Sequence, residues 1–179
     1  MFITGPPVIK EVLGEEITME ALGGAKVHSE VSGVADLAVK NDEECLSLIR
    51  RLLSFLPSSC QSAPPRREAR DDPGRPVDEL ENIVPEDMRK AYNVVQVIRA
   101  LVDDGDFLEL KGKFARNLVI GLGRLDGYPV GFVANQPMFL AGSLDVDASD
   151  KGARFIRFCD AFNIPIITLM DVPGFFPGK

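Results

Sequence analysis

The chain has 179 residues, 45% of them hydrophobic and 26% charged, which is enough for a packed core and excludes a globally disordered polymer. A net charge of −7 excludes sequence-independent nucleic-acid binding, which needs a basic footprint. One histidine and three scattered cysteines (Cys45, Cys60 and Cys159) offer no structural zinc site and fit a reducing compartment.

Residues 2–4 read as a short strand that ends at Gly5-Pro6-Pro7. Pro7 opens a helix that reaches Leu13, with Gly14 as its stop. Thr18 caps a second short helix, closed by Gly23-Gly24. The stretch GGAKVHSEVSGVAD, residues 23–36, reads as a small-residue loop around His28. Apolar residues at 45, 48, 49, 52, 53 and 56 form one stripe of a helix over 41–56, started by Asn41 and Glu44 at capping-box spacing and stopped by Pro57. Cys45 is expected to be buried on that stripe.

Residues 57–87 change character: they hold six prolines and many charges, and read as a linker between two regions. A helix is predicted over 92–102, with a stripe at 94, 95, 98, 101 and 102. FLEL at 107–110 reads as a strand. NLVIGLGRL and YPVGFVAN flank Asp126-Gly127, the signature of a two-residue hairpin turn. Gly121, Gly123 and Gly131 inside those strands point to close approach by other backbone. Ser149 is the expected cap of a helix over 150–162, with Cys159 on its buried face. PIITLM, residues 165–170, reads as a fully buried strand of a parallel sheet. Strands alternating with helices give an α/β fold.

Three constellations carry possible chemistry. The first is DVPGFFPG, which follows the last strand at the carboxyl edge of a sheet, where α/β ligands bind. Such a turn is either a tight bend with hydrophobic plugs or a set of uncovered backbone N–H groups able to hold an oxyanion. The second runs from Val133 to Phe155: Asn135 and Gln136 carry amides, and Ala141-Gly142 is bare backbone. Its Asp145, Asp147 and Asp150 lack the glycine and terminal glutamate of an EF-hand loop and read as solvated carboxylates near a helix start, so no metal is assigned. The third is the loop around His28, where no Ser or Cys motif makes a catalytic pair and a histidine hydrogen-bonded within its loop is the simpler reading. No P-loop, dinucleotide fingerprint or nucleophile elbow occurs.

Long segments now combine: MFITGPPVIKEVLGEEITMEALGGA, SGVAD, LENIVPEDMRKAYNVVQVIRALVDDGDFLEL, LDGYPVGFVANQPMFLAGSLDVDASDKGARFIRFCDAFNIPI and DVPGFFPGK. Together they resemble the carboxyltransferase (β) subunit of biotin-dependent acyl-CoA carboxylases of the propionyl-CoA carboxylase type. The resemblance covers nearly the whole chain and is weakest in the proline-rich stretch. It implies a crotonase-like spiral of βαβ units in two partial domains: residues 1–57 from the end of an N-terminal domain, a linker over 58–88, and residues 89–179 from the start of a C-terminal domain.

The resemblance also implies an activity: the carboxyl group of carboxybiotin passes to the α-carbon of an acyl-CoA, with propionyl-CoA or acetyl-CoA as acceptor, through two oxyanions held by backbone amides. On this sequence it places Gly174, Phe175 and Phe176 at the oxyanion hole for biotin. Asn135, Gln136, Ala141 and Gly142 would line the same cleft, and Gly23, Gly24, Ala25 and His28 would lie near the acyl-CoA, with His28 not acting as a base. The implied partners are a biotin carboxylase with its biotinylated carrier domain, and further carboxyltransferase subunits in a hexamer. Neither nucleic acid nor a membrane is among them. The family's other oxyanion segments have no counterpart in this sequence, so the chain is expected to be an internal piece, inactive alone. Two alternatives stand beside this reading: a non-catalytic assembly remnant, and a subunit of a biotin-dependent decarboxylase. The first residues lack the basic and apolar regions of a secretory leader, and no apolar run matches a membrane span; cytoplasm, or the mitochondrial matrix in a eukaryote, is expected.

Overall fold

The computed structural model describes residues 1–87 and 89–176. Residue 88, the last position of the expected linker, and residues 177–179 of the DVPGFFPGK segment lie outside the described residues. The elements run in the order α1 (Pro6–Leu13), α2 (Met19–Gly23), α3 (Asp42–Leu53), α4 (Leu80–Ile83), α5 (Val94–Leu101), β1 (Leu108–Leu110), β2 (Leu118–Leu125), β3 (Tyr128–Asn135), α6 (Val146–Ala161) and β4 (Ile166–Leu169).

One sheet organises the molecule, in the order β1-β2-β3-β4. The β2–β3 hairpin closes at Leu125 and Tyr128, so Asp126 and Gly127 make the turn, with φ of 50° and 76°. Positive φ at both positions is the mirror-image turn that suits strand twist, and Asp-Gly tolerates it. The Asp103 carboxylate accepts from both turn amides, at 3.1 and 2.7 Å. β4 pairs with β3 in parallel, and α6 makes the crossover between them. This is the mixed α/β, crotonase-like fold that the resemblance implies.

Residue alternation along the strands divides the core. Val119, Val130, Phe132 and Ala134 face α5, meeting Val94, Ile98 and Val102. Phe107 meets Phe132 edge-on with centroids 5.9 Å apart, a pairing that contributes about 1 kcal/mol beyond its area. Leu118, Ile120 and Leu122 face the other way, onto Phe155 and Cys159 of α6 and onto Phe55, just past α3. At Gly131 an added Cβ would sit 2.7 Å from the Cys159 sulfur, so this strand glycine lets α6 approach the sheet.

The proline-rich stretch is fastened along its length. Asn163 donates to the carbonyls of Cys60 and Ser62, at 2.7 and 3.2 Å. The Arg66 guanidinium donates to the carbonyl and carboxylate of Asp126 at 3.0 and 2.8 Å, and lies 4.6 Å from the centre of the Tyr128 ring. Arg67 donates its amide to the Gly127 carbonyl at 3.1 Å. Asp71 accepts from the Asp104 amide at 2.9 Å, and Arg75 donates to the carbonyls of Ala100 and Val102, both at 3.1 Å.

Several local expectations are corrected. Residues 2–4 are not a strand. Residues 23–36 are not simply a loop, because Val27–Val31 form a π-helical turn. Asp145 rather than Ser149 caps α6, accepting from the Ala148 amide at 2.9 Å, so the helix starts four residues earlier than predicted. Cys45 is exposed, because α3 buries no residue fully and packs on the core only through Leu48 and Leu52. β4 is only half-buried, since it is the edge strand of this sheet and its apolar run has one neighbour. α5 matches its predicted stripe with trimmed ends, whereas α3 forms as a helix but leaves Cys45, Ile49 and Leu53 of its expected stripe exposed; Asn41 caps α3 by accepting from the Glu44 amide at 2.8 Å.

Candidate functional site

β3 and β4 are parallel, so both deliver their chain to the same edge of the sheet, at Asn135 and Met170. Beyond that edge lies an open cleft of about 430 Å³, walled by Arg89, Lys90, Tyr92, Ala141, Asp171 and Pro173 among others. Its size is within the ordinary range of small-ligand sites, and its position is where α/β sheets bind ligands.

The amide of Asn135 joins the two loops that leave the edge. Its Nδ2 donates to the Gly142 carbonyl at 2.9 Å, and its Oδ1 accepts from the Asp171 amide at 3.4 Å. Gly142 has φ +79°, and a Cβ there would lie 2.5 Å from the Asp171 carbonyl oxygen. The loops therefore touch backbone to backbone. Leu140 and Ala141 precede it with φ of 50° each, a left-handed run that costs about 1–2 kcal/mol at each non-glycine residue. Strain of this kind persists where the surroundings enforce it, commonly at ligand sites. Here the Arg116 guanidinium sits 3.8 Å from the centre of the Phe139 ring and braces the start of the run.

Gln136 is buried below the cleft. Its Nε2 donates to Asn93 Oδ1 at 2.7 Å and its Oε1 accepts from the Val94 amide at 3.3 Å, which ties β3 to the first turn of α5. The side-chain amides of Asn135 and Gln136 thus have backbone and cap partners and support the floor of the site; contrary to expectation, neither they nor Gly142 line the cleft, while Ala141 reaches its wall.

The turn after β4 is pinned at both ends. Tyr92 donates its hydroxyl to Asp171 Oδ2 at 2.9 Å. Burial, then the bond to Asp171 and that carboxylate's charge, push the Tyr92 phenol up to about 12. At the far end the Leu144 amide donates to the Gly174 carbonyl at 3.1 Å, and Phe176 donates to the Leu144 carbonyl at 2.7 Å. The Phe176 amide is therefore engaged. Among the described residues, the amides of Gly174 and Phe175 donate to no protein acceptor. Two consecutive N–H groups in that condition can receive an anionic oxygen.

Lys151 is the support that the sequence reading missed. It is 1% exposed, and its ammonium donates to the carbonyls of Lys111, Phe114, Ala115 and Leu118 at 3.0, 2.7, 3.2 and 2.6 Å. Burial lowers its pKa to about 8, with Lys111 adding to the effect and Glu109 opposing it. The loop it holds ends at Asn117, whose Nδ2 donates to the Ser143 carbonyl at 2.8 Å and to Asp145 at 3.2 Å. α6 thereby steadies the loop of Ala141 and Gly142 from below.

Gly23, Gly24, Ala25 and His28 lie in a separate cluster near the chain start. Gly23 is buried against Met1, and the Gly24 carbonyl accepts from the His28 amide at 3.2 Å. His28 Nε2 donates to the Met1 carbonyl at 2.6 Å and Nδ1 pairs with the Ser32 hydroxyl at 3.1 Å. Neither these four residues nor their partners line the cleft at the sheet edge. Among the described residues no group of His, Cys, Asp and Glu has the arrangement to hold a metal, and no helix is long and apolar enough to cross a membrane.

Comparison with known proteins agrees along the full chain. A propionyl-CoA carboxylase carboxyltransferase subunit from Haloferax mediterranei is 56% identical over 178 residues, which is 99% of this chain and 34% of that protein. A methylmalonyl-CoA decarboxylase subunit alpha from Veillonella parvula is 51% identical over 178 residues, covering 99% of this chain and 35% of that protein. Among solved structures, transcarboxylase 12S, described as a hexamer with hydrolysed methylmalonyl-coenzyme A bound, superposes with a TM-score of 0.95 at 47% identity. The superposition covers 99% of this chain and 35% of that one. The chain spans about a third of the length of the curated relatives it matches. The family profile described as the carboxyl transferase domain matches residues 1–179, and the chain belongs to that family.

Proposed function

We propose that this chain forms part of a carboxyltransferase that passes a carboxyl group from carboxybiotin to the α-carbon of an acyl-CoA, propionyl-CoA or acetyl-CoA. The observation that carries the reading is the pair of amides at Gly174 and Phe175, without an acceptor among the described residues, on a pinned turn beside a cleft at the carboxyl edge of the sheet. Biotin, when bound, supplies the carried carboxyl group. The cleft of about 430 Å³, with Pro173 and Ala141 in its wall, has room for its ring system. The Gly174 and Phe175 amides would hold the oxygen that becomes negative as the carboxyl group leaves. Loss of one such donor typically costs a hundred- to a thousandfold in kcat, roughly. Asn135, Gln136 and Gly142 would keep the two loops in register, and Gly23, Gly24, Ala25 and His28 would lie near the acyl-CoA, with His28 already committed to Met1 and Ser32.

In this reading residues 1–57 and 89–179 belong to two crotonase-like domains, joined by the 58–88 stretch. The partners are a biotin carboxylase with its carrier domain, and further carboxyltransferase subunits in a hexamer. The enzyme would work in the cytoplasm, or in the mitochondrial matrix of a eukaryote. A second reading, carboxyl removal in a biotin-dependent decarboxylase, is favoured by the 51% identity to the Veillonella subunit and uses the same amides.

The test is a chimera in which this chain replaces the matching third of the Haloferax mediterranei subunit. The reading expects propionyl-CoA-dependent carboxyl transfer from carboxybiotin in the chimera and none from the 179-residue chain alone. An assembled chimera that binds acyl-CoA yet transfers nothing refutes it. Decarboxylation without transfer selects the second reading.

A further inference from the structure

We propose that Tyr92 is a positioning residue for the oxyanion site: its bond to Asp171 fixes the bearing of the turn that carries the Gly174 and Phe175 amides. The proposal rests on the carboxyltransferase reading for its chemistry, but the latch itself stands on geometry. Asp171 is the first residue of the turn and is held in three ways. Its carboxylate accepts from the Tyr92 hydroxyl at 2.9 Å, its amide donates to Asn135 at 3.4 Å, and its carbonyl rests against Gly142. The amide bond is long, and the Gly142 contact resists movement in one direction only. The hydroxyl bond is therefore the strongest restraint at this end, and as a bond to an ionised acceptor it belongs to the stronger class.

Tyr92 is itself well placed to act as a fixed post. It immediately precedes Asn93, which caps α5 through the Val95 amide at 3.1 Å and accepts from Gln136 at 2.7 Å. The post and the floor of the site thus share one helix start. Between the latch at Asp171 and the bridge to Leu144, which begins at the Gly174 carbonyl, lie only Val172 and Pro173. Pro173 removes one backbone freedom from that span. A loose Asp171 would let this end of the turn pivot about the bridge, displacing the Gly174 amide and tilting the Phe175 amide, and a misplacement of about 1 Å at a reacting group can cost on the order of a hundredfold in rate.

Amide exchange is measured in the 179-residue chain for the natural sequence, Tyr92→Phe, Asp171→Ala and the double variant. Tyr92→Phe keeps the ring, and so its packing, while deleting the hydroxyl. Exchange at the hydrogen-bonded amides that fasten the turn, those of Asp171, Leu144 and Phe176, should rise roughly two- to tenfold, as expected for loss of one hydrogen bond, while the β2–β3 hairpin keeps its protection. The double variant should exchange no faster than Asp171→Ala alone. In the chimera, Tyr92→Phe should lower kcat about tenfold with the KM for acyl-CoA within twofold, the split of a group that acts on the reacting geometry. Unchanged exchange at these three amides overturns the latch. So do additive effects in the double variant, or unchanged kcat in a chimera whose turn has loosened. If the natural chimera is inactive, the carboxyltransferase reading fails, while exchange and additivity still decide the latch.

Discussion

Replacing Gly142 with alanine tests how tightly the two loops of the site are fitted. Two effects act there. The residue sits at φ +79°, which costs an L-residue about 1–2 kcal/mol. The new methyl would also lie 2.5 Å from the Asp171 carbonyl oxygen, where ordinary contact begins at 3.4 Å, so the carbonyl must retreat by about 0.9 Å. That retreat stretches the Asp171–Asn135 bond, already 3.4 Å long, beyond hydrogen-bond range, at a further cost of about 1 kcal/mol. Gly142→Ala should therefore destabilise the chain by about 2–3 kcal/mol in urea unfolding. In the chimera it should lower kcat by about a hundredfold, because the turn that carries the two amides moves by nearly 1 Å. Two other glycines separate the causes. At Gly14, φ is +72° but no atom lies within 4 Å of a Cβ, so alanine there should show the strain cost alone. Gly174 has open space and no positive φ, so Gly174→Ala should leave stability unchanged. A Gly142→Ala chimera with kcat within twofold of the natural one would refute the close fit of the loops.

Three other outcomes are expected. The Tyr92 phenol, in a Tyr128→Phe background, should ionise near pH 12, and Asp171→Ala should bring that midpoint down toward the ordinary value; its folded pKa lies above the unfolded one, so the stability it contributes is present below pH 10 and lost as pH rises through 12. Lys151 has the opposite sign. Its folded pKa of about 8 lies below the unfolded value of 10.5, so the unfolded chain binds more protons between these limits and stability should rise with pH across that window, a slope absent in Lys151→Met when urea midpoints are compared. A thiol-specific reagent should modify the exposed Cys45 and Cys60 quickly, but Cys159, buried and with its thiol pushed up to about 12, only on unfolding.

Local chemistry was readable from sequence where it is decided within a few residues. Asp126-Gly127 marks its turn because few dipeptides tolerate two positive φ values, and Asn41 marks the start of α3 because its side chain reaches the amide three residues on. The start of α6 was misread because Asp145, Asp147 and Ser149 are all competent caps, and the helix begins at the earliest. β4 was overestimated because an apolar run does not say how many neighbours it has. Gly174, Phe175, Asn135 and Ala141 were placed together by resemblance, whereas their fastening was not legible. Tyr92 and Asp171 are 79 residues apart and carry no shared pattern. Lys151 did leave a trace. It lies three residues after Ala148 and four before Phe155, on the buried stripe of α6, where a lysine must find its own acceptors.

The fastened proline-rich stretch bears on how the chain can change in length. A linker of this composition ordinarily accepts insertions anywhere along it. Here residues 60 and 62 are held by Asn163, 66 and 67 by the hairpin turn, and 71 and 75 by the segment that ends α5 and follows it. Added residues can loop out without breaking those bonds between the fastenings, at 63–65 and 68–70, and past the last of them, at 76–79. Insertions and deletions between homologous chains should therefore gather at these three points, and a reporter or affinity tag grafted at 63–65 should leave the hairpin and the site beyond it undisturbed.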